Sequence, residues 1–280
     1  MKKILIIGSD GYIGRSLIIA LKNRYKLVLP SHKLSEIDVL KKKTLAKYIK
    51  PDIDIIINLS GQIAKKKIFE KIIVNGNKNI IDTINAVKKE ILYIFMSSCL
   101  VYGYKILPAT EKSKLTPANP YARLKLKAEN YIKKNLSHFR ILRLANVYGD
   151  DYKSGFFKKF FFSINKKKKI IFSNLLTSRN VIHLKDVIKS IVLVIKNKEI
   201  EKYNKLIINI GNENIKLSKI KDIFLSYFDN RLNLENKKKS LREDSSQVIS
   251  TEKFDNLVKW RKIKINQTLL TILKKNEKYI

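Results

Sequence analysis

The sequence predicts an α/β fold, a doubly wound parallel sheet followed by a smaller C-terminal region. Three observations predict it. Short apolar, β-branched runs alternate with stretches of helical spacing through the first half of the chain. A glycine-rich turn, Gly8-Ser9-Asp10-Gly11-Tyr12-Ile13-Gly14, follows the first run and opens a helix. Tyr121 and Lys125 stand four apart just after Pro120, on one face of a helix's first turns.

The elements follow in order. Lys3–Ile7 is a buried strand, and Ser16–Arg24 has helical spacing. The turn between them is spaced G-x-x-G-x-x-G. Its glycines let backbone approach a pyrophosphate at a helix N-terminus, where free N–H groups and the helix dipole favour anions. Gly8, Asp10, Gly11, Tyr12, Ile13 and Gly14 are therefore candidate cofactor contacts. Lys26–Leu29 is the second strand. An acid that would hold an adenosine ribose is missing at its end, where Ser31, His32 and Lys33 stand instead. A hydroxyl and a base suit a 2′-phosphate, so NADP is favoured over NAD. Leu40–Lys50 is a helix and Asp54–Leu59 a third strand, which ends in Leu59, Ser60 and Gly61 beside the expected cofactor.

Phe69–Lys89 reads as a long helix and Ile91–Met96 as the fourth strand. Ser98 lies at that strand's C-terminal end, where parallel sheets bind ligands. Its hydroxyl is placed to hydrogen-bond a reacting oxygen. Tyr121–Asn135 is the helix carrying the pair, Phe139–Leu144 the fifth strand, and Asn146-Val147-Tyr148-Gly149 closes it. A cation beside the phenol favours the phenolate, so Tyr121 is a candidate proton donor or acceptor tuned by Lys125.

Beyond Asp150 the pattern loosens. Gly155–Asn165 looks helical, and Lys169–Phe172 looks like a strand. Arg179–Asp186 precedes a helix over Val187–Lys196, and Leu206–Ile210 is a short strand ended by Gly211. Leu217–Phe228 is helical, Asn230–Gln247 an exposed polar loop, and Thr251–Trp260 and Gln267–Lys275 closing helices. The expected organisation is a cofactor-binding domain over 1–150, joined late by 179–211. A smaller substrate-binding region comprises 151–178 and 212–280.

Composition sets outer bounds. The 280 residues are 45% hydrophobic, enough for a sizeable core. Cys99 is the one cysteine, so no intrachain disulfide can form, which fits a reducing cytoplasm. No apolar run approaches the ~20 residues of a membrane span, and no metal-ligand spacing is present. Met1-Lys2-Lys3 and the short apolar run after it do not make a signal peptide. The formal net charge of +35 suits binding to RNA or an anionic membrane. The lysines are spread along the chain, however, among many Asn and Ile residues, as an AT-rich coding sequence would give. Nucleic acid is accordingly not the expected partner.

These motifs, in this order, resemble the extended short-chain dehydrogenase/reductase family, the NAD-dependent epimerase/dehydratase family, over nearly the whole chain. The resemblance rests on Gly8, Gly11 and Gly14, on Ser98 four residues before Tyr102 of Val101-Tyr102-Gly103, on Tyr121 and Lys125, and on Asn146–Gly149. Arg179 through Asp186 and Asn209–Gly211 extend it. It implies a Rossmann domain, a nucleotide-diphosphate sugar as substrate, hydride transfer by NAD(P), and a homodimer. It implies Tyr121 as acid/base, Lys125 as its tuner and ribose ligand, and Ser98 orienting the sugar oxygen. Arg179 would meet the diphosphate by a bidentate guanidinium, with Asn146 a further substrate contact.

The family's dehydratases carry Asp-Glu where this chain has Cys99-Leu100, so an epimerase or 4-keto-reductase is expected rather than a dehydratase. Two other positions depart, Ile73 for an asparagine and Asn77 for a threonine. His183 is expected to be structural. The alternative class is a non-catalytic scaffold, either a cofactor sensor or a binder of anionic partners. Ser98, Tyr121 and Lys125 together argue against it.

Overall fold

The structure is a computed structural model, and the residues described are 1–61, 70–149, 157, 170–172, 174–228, 234–236 and 246–276. Its strands are β1 (Lys3–Ile7), β2 (Lys26–Val28), β3 (Ile55–Asn58), β4 (Leu92–Ser98), β5 (Lys105–Ala109), β6 (Phe139–Leu144), β7 (Asn146–Tyr148), β8 (Ile170–Phe172), β9 (Ser178–His183), β10 (Lys205–Ile210), β11 (Glu213–Lys216), β12 (Leu234–Asn236) and β13 (Gln247–Ile249). The chain divides into two units. The first comprises Met1–Val101, Pro117–Arg143 and Ile188–Ile208, and the second the remainder.

The first unit is built on a parallel six-stranded sheet in the order β10-β6-β4-β3-β1-β2. Its strands are apolar runs because both faces are covered by helices. Ile4, Leu5, Ile6, Ile56, Ile57, Ile94 and Ile141 have no exposed surface. Fully burying such a side chain contributes roughly 1.5–3 kcal/mol. Helix Tyr12–Leu21 buries Gly14, Leu17 and Leu21, one stripe at helical spacing.

Helix Pro120–Asn135 has a complete start signal. Asn119 caps it by accepting from Ala122 N–H at 2.9 Å, and Pro120 occupies the first turn. Its buried stripe is Ala122, Lys125, Ala128, Glu129 and Ile132, so an ammonium and a carboxylate share the face turned inward. Helix Asn77–Ala86 follows a π-helical turn at Lys71–Gly76. The inner face of this layer packs Ile73, Ile80, Ile81, Tyr93, Phe95, Ala128 and Ile132 into one core cluster.

The second unit carries a five-stranded mixed sheet in the order β11-β9-β13-β5, with β7 also paired to β9. The pairs β13–β5 and β7–β9 are parallel, and β11–β9 is antiparallel. Of its strands only β8, paired outside this sheet to β12, was anticipated from sequence. The expected division also shifts. Tyr102–Thr116 and Leu144–Val187 cluster with the second unit, because β5 pairs with β13 and β7 with β9. Apart from Phe157, the helix expected at Gly155–Asn165 lies outside the described residues, as does most of the loop expected at Asn230–Gln247, although Leu234–Asn236 is strand. Among the described residues no helix is long and apolar enough to cross a membrane.

Candidate active site

The glycine turn is built by backbone contact. Gly8 has φ +87°, a left-handed conformation that side chains disfavour. A Cβ there would stand 3.0 Å from the Leu59 carbonyl carbon and 3.1 Å from Ser60 N. The turn thus lies directly on the end of β3. Asn58 Oδ1 fixes that end, accepting from Ser60 N–H at 2.9 Å and from Ser60 Oγ at 2.6 Å. At Gly14 a Cβ would come within 2.4 Å of Gly8 O. The helix can therefore close on the turn only with hydrogen at that position.

Gly11 is the exposed N-cap of helix Tyr12–Leu21, and its N–H donates to Gly8 O at 3.0 Å. The helix has no side-chain cap and no acid in its first turn, where Tyr12 and Ile13 are half-buried. Such a helix start favours an anion through its N–H groups and its dipole. This cradle fits the pyrophosphate of a dinucleotide.

The end of β2 carries more than its own sequence supplies. No acid stands at the end of β2 in sequence, yet two carboxylates reach it in space. Ser31 Oγ donates to Asp10 Oδ2 at 2.7 Å, and Ser31 N–H donates to Glu36 Oε2 at 2.7 Å. Asp10 comes from the glycine turn and Glu36 from the following loop. Ser9 Oγ, donating to Pro30 O at 3.2 Å, ties the turn to this strand end. The Ser31 hydroxyl, and then the Lys33 N–H and ammonium, hold the Asp10 carboxyl below its ordinary range. His32 and Lys33 are exposed, and His32 Nδ1 lies 3.0 Å from Ile37 O.

The Tyr121–Lys125 pair sits on helix Pro120–Asn135 beside the end of β4. Lys125 is 4% exposed, and its Nζ donates to Met96 O at 2.7 Å. Nζ lies 4.5 Å from the Phe95 ring centroid and 5.9 Å from that of half-buried Tyr121. A Cβ on Gly61 would stand 3.8 Å from Nζ, so the β3 end and the lysine meet. Burial pushes the Lys125 ammonium down to about 8, against the pull of the Glu129 carboxylate. Ser98 is buried two residues beyond Met96, its Oγ accepting from Leu100 N–H at 3.2 Å.

The first unit therefore gathers Gly8, Leu59, Ser60, Gly61, Tyr121 and Lys125, and joins Asp10 to Ser31 and Lys33. Asn146 and Arg179 lie on the second unit's sheet. Asn146 Nδ2 donates to Asn180 O at 2.8 Å, and Asn146 pairs in register with Val181. Arg179, half-buried, pairs with Ile215 and donates to Ser178 O at 2.9 Å. His183 is buried, edge-on to Tyr148, and its Nδ1 accepts from Lys185 N–H at 3.2 Å. Glu36, Asn58, Glu129 and Arg143 escaped the sequence reading. Glu129 alone had a signal, since it continues the stripe Tyr121, Lys125 at the same spacing.

The chain resembles known proteins along its length. It is 26% identical over 246 residues to a dTDP-D-glucose 4,6-dehydratase of Dictyostelium discoideum, covering 71% of this chain and 57% of that protein. It spans little more than half the length of the curated relatives first matched. Among solved structures, a UDP-glucuronic acid 4-epimerase mutant from Bacillus cereus, in complex with a fluorinated UDP-sugar and NAD, superposes with a TM-score of 0.82 at 19% identity, covering 99% of this chain and 100% of that one. RMD from Pseudomonas aeruginosa, complexed with NADPH, does so with a TM-score of 0.82 at 19% identity, covering both chains fully. Residues 4–211 match the NAD dependent epimerase/dehydratase family. With the glycine cradle, the Tyr121–Lys125 pair and the parallel sheet already in place, that match makes the chain a member of the NAD dependent epimerase/dehydratase family.

Proposed function

We propose that this chain is an NAD(P)-dependent enzyme that epimerises, or reduces the 4-keto form of, a nucleotide-diphosphate sugar. The observation that carries this reading is Lys125, a buried ammonium held by Met96 O beside the Tyr121 ring. No ion pair to Lys125 stands among the described residues, so its burial costs stability, and its use is chemical. Gly8, Gly11 and Gly14 would hold the pyrophosphate, and Leu59–Gly61 with Lys125 the nicotinamide end. The bound nicotinamide supplies hydride exchange with a sugar carbon.

Tyr121 moves the proton at the sugar oxygen, and the Lys125 charge stabilises its phenolate. Ser98 Oγ orients that oxygen. Arg179 takes the substrate's diphosphate and Asn146 a neighbouring oxygen. At the adenosine end, Asp10 and Glu36 occupy both Ser31 donors and repel a 2′-phosphate, which supports NAD over the NADP favoured by the sequence alone.

The test is incubation of the purified protein with NADH or NAD and with UDP-glucuronic acid or dTDP-D-glucose derivatives, products being separated by chromatography. Sugar inversion without net NADH loss marks an epimerase, and stoichiometric loss marks a reductase. Wild-type turnover by Tyr121→Phe would remove the reading.

A further inference from the structure

One helical turn beyond Lys125, on the same buried stripe, a charged pair stands that the proposed chemistry does not use. Glu129 follows Lys125 by one turn on helix Pro120–Asn135 and is 0% exposed. Arg143 Nε donates to its Oε1 at 3.1 Å and Arg143 Nη2 to its Oε2 at 2.7 Å, a bidentate grip from β6. Ser97 Oγ donates to the same Oε1 from β4, between Met96, whose carbonyl holds Lys125, and Ser98. Arg143 is itself only 2% exposed. Stability does not account for this arrangement. Well-packed apolar side chains of similar volume commonly replace a buried ion pair at no loss or with a gain of roughly 1–4 kcal/mol.

The charges bear on Lys125 in opposite senses. The Glu129 carboxylate favours the ammonium, and Arg143 neutralises that carboxylate through its bidentate grip. Among the described residues, β4 adds the Phe95 ring and the Met96 carbonyl, and the helix itself adds Tyr121. We propose that Glu129 and Arg143 are positioning residues that together set the charge on Lys125, the carboxylate favouring the ammonium and the guanidinium limiting that preference. The inference rests on the reading of Lys125 as part of the reacting pair.

The experiment follows the Lys125 titration by side-chain ¹³C NMR on lysine-labelled protein, its resonance identified by loss in Lys125→Met. Glu129→Gln should lower the midpoint by about one pH unit, and Arg143→Met should raise it by about as much, as removal of one neighbouring charge does. Shifts of the same sign, or none beside a lower unfolding temperature, would make the pair merely structural and overturn the proposal. Where a single variant does not fold, Glu129→Gln/Arg143→Met leaves no buried charge of the pair unmatched. Its midpoint should stay near the wild-type value, because the two opposite effects offset, and a displacement of a full unit in either direction would overturn the proposal. NADH affinity, titrated by fluorescence over the same pH range, should fall as each protein's Lys125 loses its proton. Opposite NMR shifts without that parallel would sink the cofactor role of Lys125 while leaving its electrostatic control by Glu129 and Arg143 standing.

Discussion

The two units are held together by different physics. In the first, β1 and β3 have nearly no exposed side chain, and most of the interior is isoleucine packed on isoleucine. In the second, asparagines sit at the same depth. Asn209 is 0% exposed, yet it receives the Tyr102 hydroxyl at 2.7 Å and donates to Ala109 O and Ser250 O at 3.0 Å. Asn180 donates to Asn214 Oδ1 at 2.7 Å and accepts from Asn212 N–H at 3.2 Å. Apolar burial is tolerant of direction, whereas a buried amide demands every partner. The first unit can therefore be read from hydrophobic runs, and the second only from who meets whom.

The sharpest use of this contrast is to separate chemistry from scaffold in the first unit. Tyr121→Phe keeps the ring packed and deletes the ionisable hydroxyl. The catalytic constant should fall by ~10²–10⁴-fold, the usual cost of losing general acid–base catalysis. Steady-state kinetics with the identified sugar nucleotide would show it, with unfolding temperature unchanged.

Next comes the contrast itself. Ile56→Ala in the first unit should lose about 2–5 kcal/mol to the cavity it leaves. Asn209→Leu in the second should lose about as much, since each buried group left unsatisfied costs ~1–3 kcal/mol. Urea titration of both variants decides the matter. Unchanged stability in Asn209→Leu would show that the asparagine network is incidental and the two units are alike.

A smaller effect has the opposite sign. The folded pKa of Lys125, about 8, lies below its unfolded 10.5, so between those values the unfolded chain binds the extra proton. The penalty of the buried cation is full below pH 8 and is relieved as pH rises to 10.5. Lys125→Met should therefore be more stable than wild type at neutral pH by about 1–3 kcal/mol. The gap should close in alkaline solution, even as cofactor binding is lost. A gap that does not depend on pH would contradict the burial of an ionisable group here.

The smallest effect concerns Asp10. Asp10→Asn keeps the shape at Ser31 and removes one charge. The ratio of NADPH to NADH dissociation constants should fall by ~10-fold, about 1.4 kcal/mol, and by less at high salt. An unchanged ratio in fluorescence titrations would show that this carboxylate does not read the ribose.

The sequence by itself determined the parallel sheet of the first unit, the glycine turn and the pair Tyr121–Lys125. Each is written in neighbouring residues. Strands buried on both faces must be apolar throughout, a turn packed to 2.4 Å must be glycine, and a one-turn separation puts two side chains on one helix face. Tertiary structure alone decided the rest. Strands β5, β7, β9, β11 and β13 are short and partly polar, and they exist because distant segments complete one another's hydrogen bonds, as Gln247 does with Lys105 and with Arg179. The same holds at the end of β2, where Asp10 and Glu36 serve Ser31 although neither stands directly after the strand. It holds again behind Lys125, where Arg143 reaches Glu129 from another strand. A charge acts through distance in space, and separation along the chain does not give that distance.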